Sequence, residues 1–99
     1  MSTFTAVLNT VYETLTHDKI NTDFYPNATP TIEVSGSGAS INIYGSNESS
    51  IPANAAAMTL LQDSPYVEGF HTLNGAFKWI LFETAAGSPT VKTNNCIKI

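Results

Sequence analysis

The sequence predicts an all-β chain, an antiparallel, jelly-roll-like β-sandwich, on three observations. Turn-forming clusters recur about every ten residues, the segments between them alternate apolar and polar side chains, and the composition is rich in threonine. The clusters are Pro26-Asn27-Ala28-Thr29-Pro30, Gly36-Ser37-Gly38, Gly45 to Ser50, Pro52-Ala53-Asn54, Asp63-Ser64-Pro65, Asn74-Gly75 and Gly87-Ser88-Pro89. Short strands at such spacing are the pattern of sandwiches and barrels. A chain of 99 residues makes one domain, spanning 1–99, with one modest core.

The elements follow in order. Phe4, Val7, Leu8, Val11, Tyr12 and Leu15 fit a helical stripe, whereas Thr3, Thr5, Thr10, Thr14 and Thr16 disfavour helix through their stiff side chains. Periodicity and composition therefore disagree over residues 2–16, and residues 2–9 are read as an extended or helical arm. In Thr31-Ile32-Glu33-Val34-Ser35, Ile32 and Val34 face inward, and Ser40-Ile41-Asn42-Ile43-Tyr44 repeats the alternation with Ile41 and Ile43 inward. Gly36-Ser37-Gly38 joins these two segments, which predicts a hairpin. Met58 to Leu61 predicts a further strand. Asn74-Gly75 predicts a hairpin between Phe70-His71-Thr72-Leu73 and Phe77 to Phe82. That last segment is apolar at nearly every position, as in a strand covered on both faces or one whose outer face meets another subunit. Val91-Lys92-Thr93 and Cys96 to Ile99 complete the set.

Charge restricts the function classes. Four lysines stand against eight carboxylates, there is no arginine, and the net charge is −4. A nucleic-acid binder needs clustered cations to track phosphates, and a membrane-surface protein needs a basic patch; neither partner is expected. Charged residues make up 12% of the chain, and Thr (13), Ser (9) and Asn (9) supply the polarity instead. A positive, apolar leader is missing from Met1-Ser-Thr-Phe-Thr-Ala. The single cysteine, Cys96, reads as a small hydrophobe in a last strand rather than a reactive thiol.

The sequence carries no motif of catalytic or metal chemistry. His17 and His71 show no metal spacing with each other, with Asp63 or with Cys96, so neither a metal nor a cofactor is expected. None of the serines sits in a GxSxG elbow, and Gly36 to Ser40 joins two strands rather than opening a phosphate-binding helix. No catalytic residue is named, and an enzyme is not expected. The ten aromatic residues are the remaining handle. Trp79 reads as core, whereas Tyr25, Tyr44 and Tyr66, each beside a turn, are the candidate interface residues, facing a sugar ring or a protein partner.

Ile32-Glu33-Val34-Ser35-Gly36, followed by Ala39-Ser40-Ile41-Asn42-Ile43-Tyr44-Gly45-Ser46-Asn47, resembles a strand–turn–strand pattern of small β-sandwich virion proteins of tailed bacteriophages. The later Phe77 to Phe82 stands where such chains have an aromatic-rich strand. The resemblance covers about residues 10 to 99 as strands and turns, and Val-Ser-Gly … Gly-Ser-Asn is its one sharp piece. After Asn47 the chain departs from it, with Glu48-Ser49-Ser50-Ile51-Pro52 in place of Asp-Gly and a tryptophan. The resemblance implies a non-enzymatic structural protein of the virion, assembled in the host cytoplasm. Its role would be capsid decoration or cement, with the major capsid protein and further copies of itself, as a dimer or trimer, for partners. It also implies strands within residues 10–25. The alternative expectation is a carbohydrate-binding or receptor-binding β-sandwich module of a tail or neck component, with a glycan as ligand.

Overall fold

Alternation of apolar and polar side chains sets each strand's two faces, and burying one face of each forms two antiparallel sheets. The computed structural model describes residues 3–13, 31–73 and 78–94. Within these described residues nine strands follow in order: β1 Thr3–Ala6, β2 Val11–Glu13, β3 Thr31–Ser35, β4 Ser40–Ser46, β5 Thr59–Leu60, β6 Tyr66–Val67, β7 Gly69–Thr72, β8 Trp79–Ala86 and β9 Thr90–Asn94. A short 3-10 turn, Ala55–Ala57, precedes β5, and Asn54 caps it by accepting from the Ala56 amide. One sheet has the order β1-β9-β3-β7. The other has β2-β8-β4-β5, with β6 also pairing β4. With β5 and β6 taken as one interrupted edge strand, this is the eight-strand jelly-roll order, so the predicted class holds.

The core lies between the sheets. Ile32, Val34 and Val91 from the first sheet meet Ile41, Ile43, Ile80 and Phe82 from the second, joined by Ala6, Tyr66 and Leu73. The two alternating segments thus face the way the sequence indicates. Their connection does not. β3 pairs with β7 and β9, β4 pairs with β8, β5 and β6, and the two never pair with each other. Gly36-Ser37-Gly38 is therefore an arch that carries the chain from one sheet to the other, and the expected hairpin is absent. The arch is tight: Gly36 has φ +124, and a Cβ there would stand 2.8 Å from the Ser88 carbonyl oxygen. The Ala39 amide closes the turn onto the Gly36 carbonyl at 3.1 Å, and Glu68 Oε1 accepts from the Gly38 amide at 2.8 Å. Only glycine meets both demands at position 36.

The second expected hairpin fails on the same ground. β7 and β8 lie in different sheets, so they are not hairpin partners; Asn74-Gly75 lies outside the described residues. At the N-terminus, β1 is a strand of the first sheet, in antiparallel register with β9 from Thr3↔Asn94 to Ala6↔Val91. The helical stripe is not used. Asn9, with φ 62, turns the chain across to β2, and its amide donates to the Phe82 carbonyl at 2.7 Å. The predicted strand at Met58 to Leu61 shrinks to Thr59–Leu60. Where it stops, the Leu61 amide and the Ser64 hydroxyl serve the Ile43 carbonyl and amide that a longer strand would have paired.

A candidate interface on one outer face

Strand register places side chains on one face in rows, because directly opposed residues of an antiparallel pair point the same way. On the outer face of the β2-β8-β4-β5 sheet one row is Val11↔Leu81↔Tyr44↔Leu60, crossing all four strands. It is apolar apart from the Tyr44 hydroxyl. Leu81 retains 3% of its exposure, whereas Leu60, at the edge, retains 47%. This explains the nearly continuous apolar run in the sequence: Ile80 and Phe82 fill the core, and Leu81 anchors the opposite face.

Polar rows flank the apolar one. On one side Glu83 stands opposite Asn42. Glu83 Oε1 accepts from Tyr44 Oη at 3.0 Å and from Asn42 Nδ2 at 3.4 Å. The Tyr44 phenol is held above its ordinary value of 10.0, first by that hydrogen bond, then by burial, then by the nearby charge of Glu83. On the other side Glu13, Trp79 and Ser46 share a row. Trp79 is half-buried rather than part of the core. Its Nε1 donates to the Glu48 carbonyl at 2.8 Å, and Lys78 Nζ lies 5.5 Å from the centre of its ring. Lys78 also reaches the Ser49 carbonyl at 3.4 Å, and its amide donates to Asn47 Oδ1 at 2.9 Å. These contacts pin the Gly45 to Ser50 loop against the sheet.

The three tyrosines singled out in the sequence occupy different settings. Tyr44 is half-buried on this outer face. Tyr66 is part of the core, 7% exposed, with its ring edge-on to that of His71 at 5.1 Å between centroids, so it offers no open ring face. Burial, and secondarily the charge of Asp63, raises its phenol above the ordinary value. Tyr25 lies outside the described residues, as do His17 and Cys96. His71 Nε2 meets the Val67 carbonyl at 2.6 Å. Among the described residues no three His, Cys, Asp or Glu side chains gather in a way that could hold a metal.

Sequence reasoning missed Glu83, Asn42 and the apolar row. The signal was present: Leu81 and Glu83 share the parity opposite to Ile80 and Phe82, as Asn42 and Tyr44 do against Ile41 and Ile43.

No protein-family model matches the chain, and neither the curated proteins nor the solved structures give a match.

Proposed function

We propose that the chain is a non-enzymatic bacteriophage structural protein, a capsid decoration or cement protein that binds the outer capsid surface and stabilises the shell. The observation that carries this reading is the Val11–Leu81–Tyr44–Leu60 row. The exposed part of that row, Leu60 at its edge above all, gains free energy when a partner covers it, at about 25 cal/mol per Å² of apolar area removed from water, while Leu81 is already buried beneath its neighbours. The small number of charges adds support, since contacts made without exposed ion pairs weaken little as salt rises. The phage setting rests on the resemblance around Val34-Ser35-Gly36 and Gly45-Ser46-Asn47. Jelly rolls are used in viral capsids and in lectins, an association at the level of fold alone.

The partners are then the major capsid protein and further copies of this chain, and the location is the virion. Cryo-electron microscopy of phage particles carrying the chain tests the reading. Density on the shell in stoichiometric copies is expected, with particles lacking it rupturing more easily. A handful of copies, or density confined to the tail or neck, rejects it.

A carbohydrate-binding role is the second reading, favoured by the Tyr44–Glu83–Asn42 arrangement beside an apolar strip. It requires glycan binding that is lost in Tyr44→Ala, and an empty broad glycan array removes it.

A further inference from the structure

The Glu83–Asn42 pair has a chemical specificity of its own. One oxygen of Glu83 takes both available donors, Tyr44 Oη and Asn42 Nδ2. That fixes the Asn42 amide: its nitrogen faces the carboxylate, because the flipped amide would set two oxygens against each other. Glu83 Oε2 and Asn42 Oδ1 then accept no hydrogen bond among the described residues. Each belongs to a group whose other arm is already tied, so both are oriented before any ligand arrives.

We infer that Glu83 Oε2 and Asn42 Oδ1, beside the Tyr44 ring, receive the guanidinium of an arginine presented by the partner that covers this face. The inference rests on the docking reading above for the identity of the occupant. Three physical points favour a guanidinium over a sugar hydroxyl pair or a lysine. A charge-assisted bond to a carboxylate is roughly twice as strong as a neutral one. A planar fork spans two acceptors on separate side chains, which an ammonium does less well. The Tyr44 hydroxyl is tied to the same carboxylate, which holds an aromatic ring on this face as a further partner for a guanidinium.

The charge on this face points the same way. Its described ionisable groups are Glu13, Glu83 and Lys78 at its end, and Lys78 is directed to Trp79 and the Ser49 carbonyl. The chain has no arginine of its own. An arginine at Glu83 therefore has to come from another molecule, and a second copy of this chain offers only lysine.

The test is an NMR titration of the full chain with N-acetyl-arginine amide, N-acetyl-lysine amide and N-acetyl-citrulline amide, the last being a neutral isostere of the first. Arginine should shift the Glu83 carboxyl and Tyr44 ring signals saturably and bind at least about fivefold tighter than citrulline, with lysine between them. Glu83→Gln keeps an oxygen for Tyr44 and should bring arginine and citrulline to within about twofold of each other. As a second readout, arginine should move the Tyr44 phenol back toward its ordinary value, because it offsets the charge of Glu83; citrulline should not. Equal binding of arginine and citrulline by the native chain, or unchanged selectivity in Glu83→Gln, overturns the inference. The docking reading fails separately. A chain that selects arginine but never binds a shell keeps the subsite and loses the decoration role. A chain that binds shells through Leu60 but ignores arginine keeps the role and loses the subsite.

Discussion

Two rows cross the sandwich on opposite outer faces, and they match position for position. In the β1-β9-β3-β7 sheet the row is Thr5↔Lys92↔Glu33↔Phe70; in the β2-β8-β4-β5 sheet it is Val11↔Leu81↔Tyr44↔Leu60. Each runs edge, centre, centre, edge. In the first, opposite charges stand as direct register partners at the centre, and a lone aromatic, Phe70, remains 76% exposed at the rim. In the second the centre is Leu81 and Tyr44, and the charges are displaced to the neighbouring rows. The inner faces of both sheets are largely apolar, Thr93 in the first being an exception, so the core does little to distinguish them. What differs is the outward content of the central strands, and that is where the two faces acquire different uses. A Lys–Glu centre is stable in water, whereas the Leu–Tyr row, with Leu81 already buried, profits from cover at its exposed Leu60 edge.

The matched positions can be tested in pairs. The largest contrast is at the centre: Leu81→Ala should cost about 2–3 kcal/mol in chemical denaturation, whereas Lys92→Ala should stay within about 0.5 kcal/mol. Comparable losses for the two would break the comparison, since they would mean that the Lys92 face is packed as tightly as the Leu81 face.

A second experiment probes the inner side of the first sheet. Thr93, paired with Ile32, is buried, and its hydroxyl has no hydrogen-bond partner among the described residues. Thr93→Val keeps the shape and removes the orphaned group, so a gain of about 1 kcal/mol is expected. A loss instead would indicate that the hydroxyl is satisfied in solution.

At the rims, Leu60→Asp and Phe70→Asp should each change stability by less than about 1 kcal/mol, as both side chains are exposed. Shell occupancy separates them: Leu60→Asp should lose it, and Phe70→Asp should keep it. The reverse outcome moves the docking face to the other sheet.

The smallest effect is in alkaline titration. Both Tyr44 and Tyr66 ionise above 10.0 in the folded chain, and unfolded tyrosine ionises near 10. The stability linked to them is complete below that pH and is lost as pH rises through the folded values, where the unfolded chain holds fewer protons. Glu83→Ala, which removes both the acceptor and the charge, should return Tyr44 toward the ordinary value and leave Tyr66 raised, as followed by phenolate absorbance. A Tyr44 unmoved by the substitution would contradict the hydrogen bond on which the arginine subsite depends.

Strand faces were readable from the sequence because side-chain parity is a local property. Ile32, Val34, Ile41 and Ile43 are buried as alternation indicates, and so are Ile80, Leu81 and Phe82 at the end of the apolar run. Strand partners were not readable. Gly36-Ser37-Gly38 supplies the same backbone freedom to a hairpin and to an arch, and only the packing of Ile32 and Val34 against Ile41 and Ile43 across the core selects the arch. The N-terminal segment misleads for a related reason. Its helical stripe includes Val7, which is exposed in the turn between β1 and β2, so an accident of spacing mimicked a buried face. At the candidate interface, Tyr44 was legible as an aromatic beside a turn. Glu83 was not, because a carboxylate at the end of an apolar run looks like ordinary solvation until register sets it opposite Asn42.

The position of β9 has a consequence in time as well as in space. It is the last described strand along the chain, yet it lies inside its sheet, between β1 and β3. Among the described strands, β1 has no partner until β9 is made, and until then β3 has only β7. The first sheet closes when residues 90–94 become available, and until then two backbone edges stay open to pairing with other chains. The arches add to the delay, since contacts between residues distant in sequence form slowly. Assembly from nascent chains is thus exposed to mispairing for the whole interval before β9 arrives. A misplaced substitution within β9 would therefore be felt at β1, which precedes it by some eighty residues and depends on it for pairing.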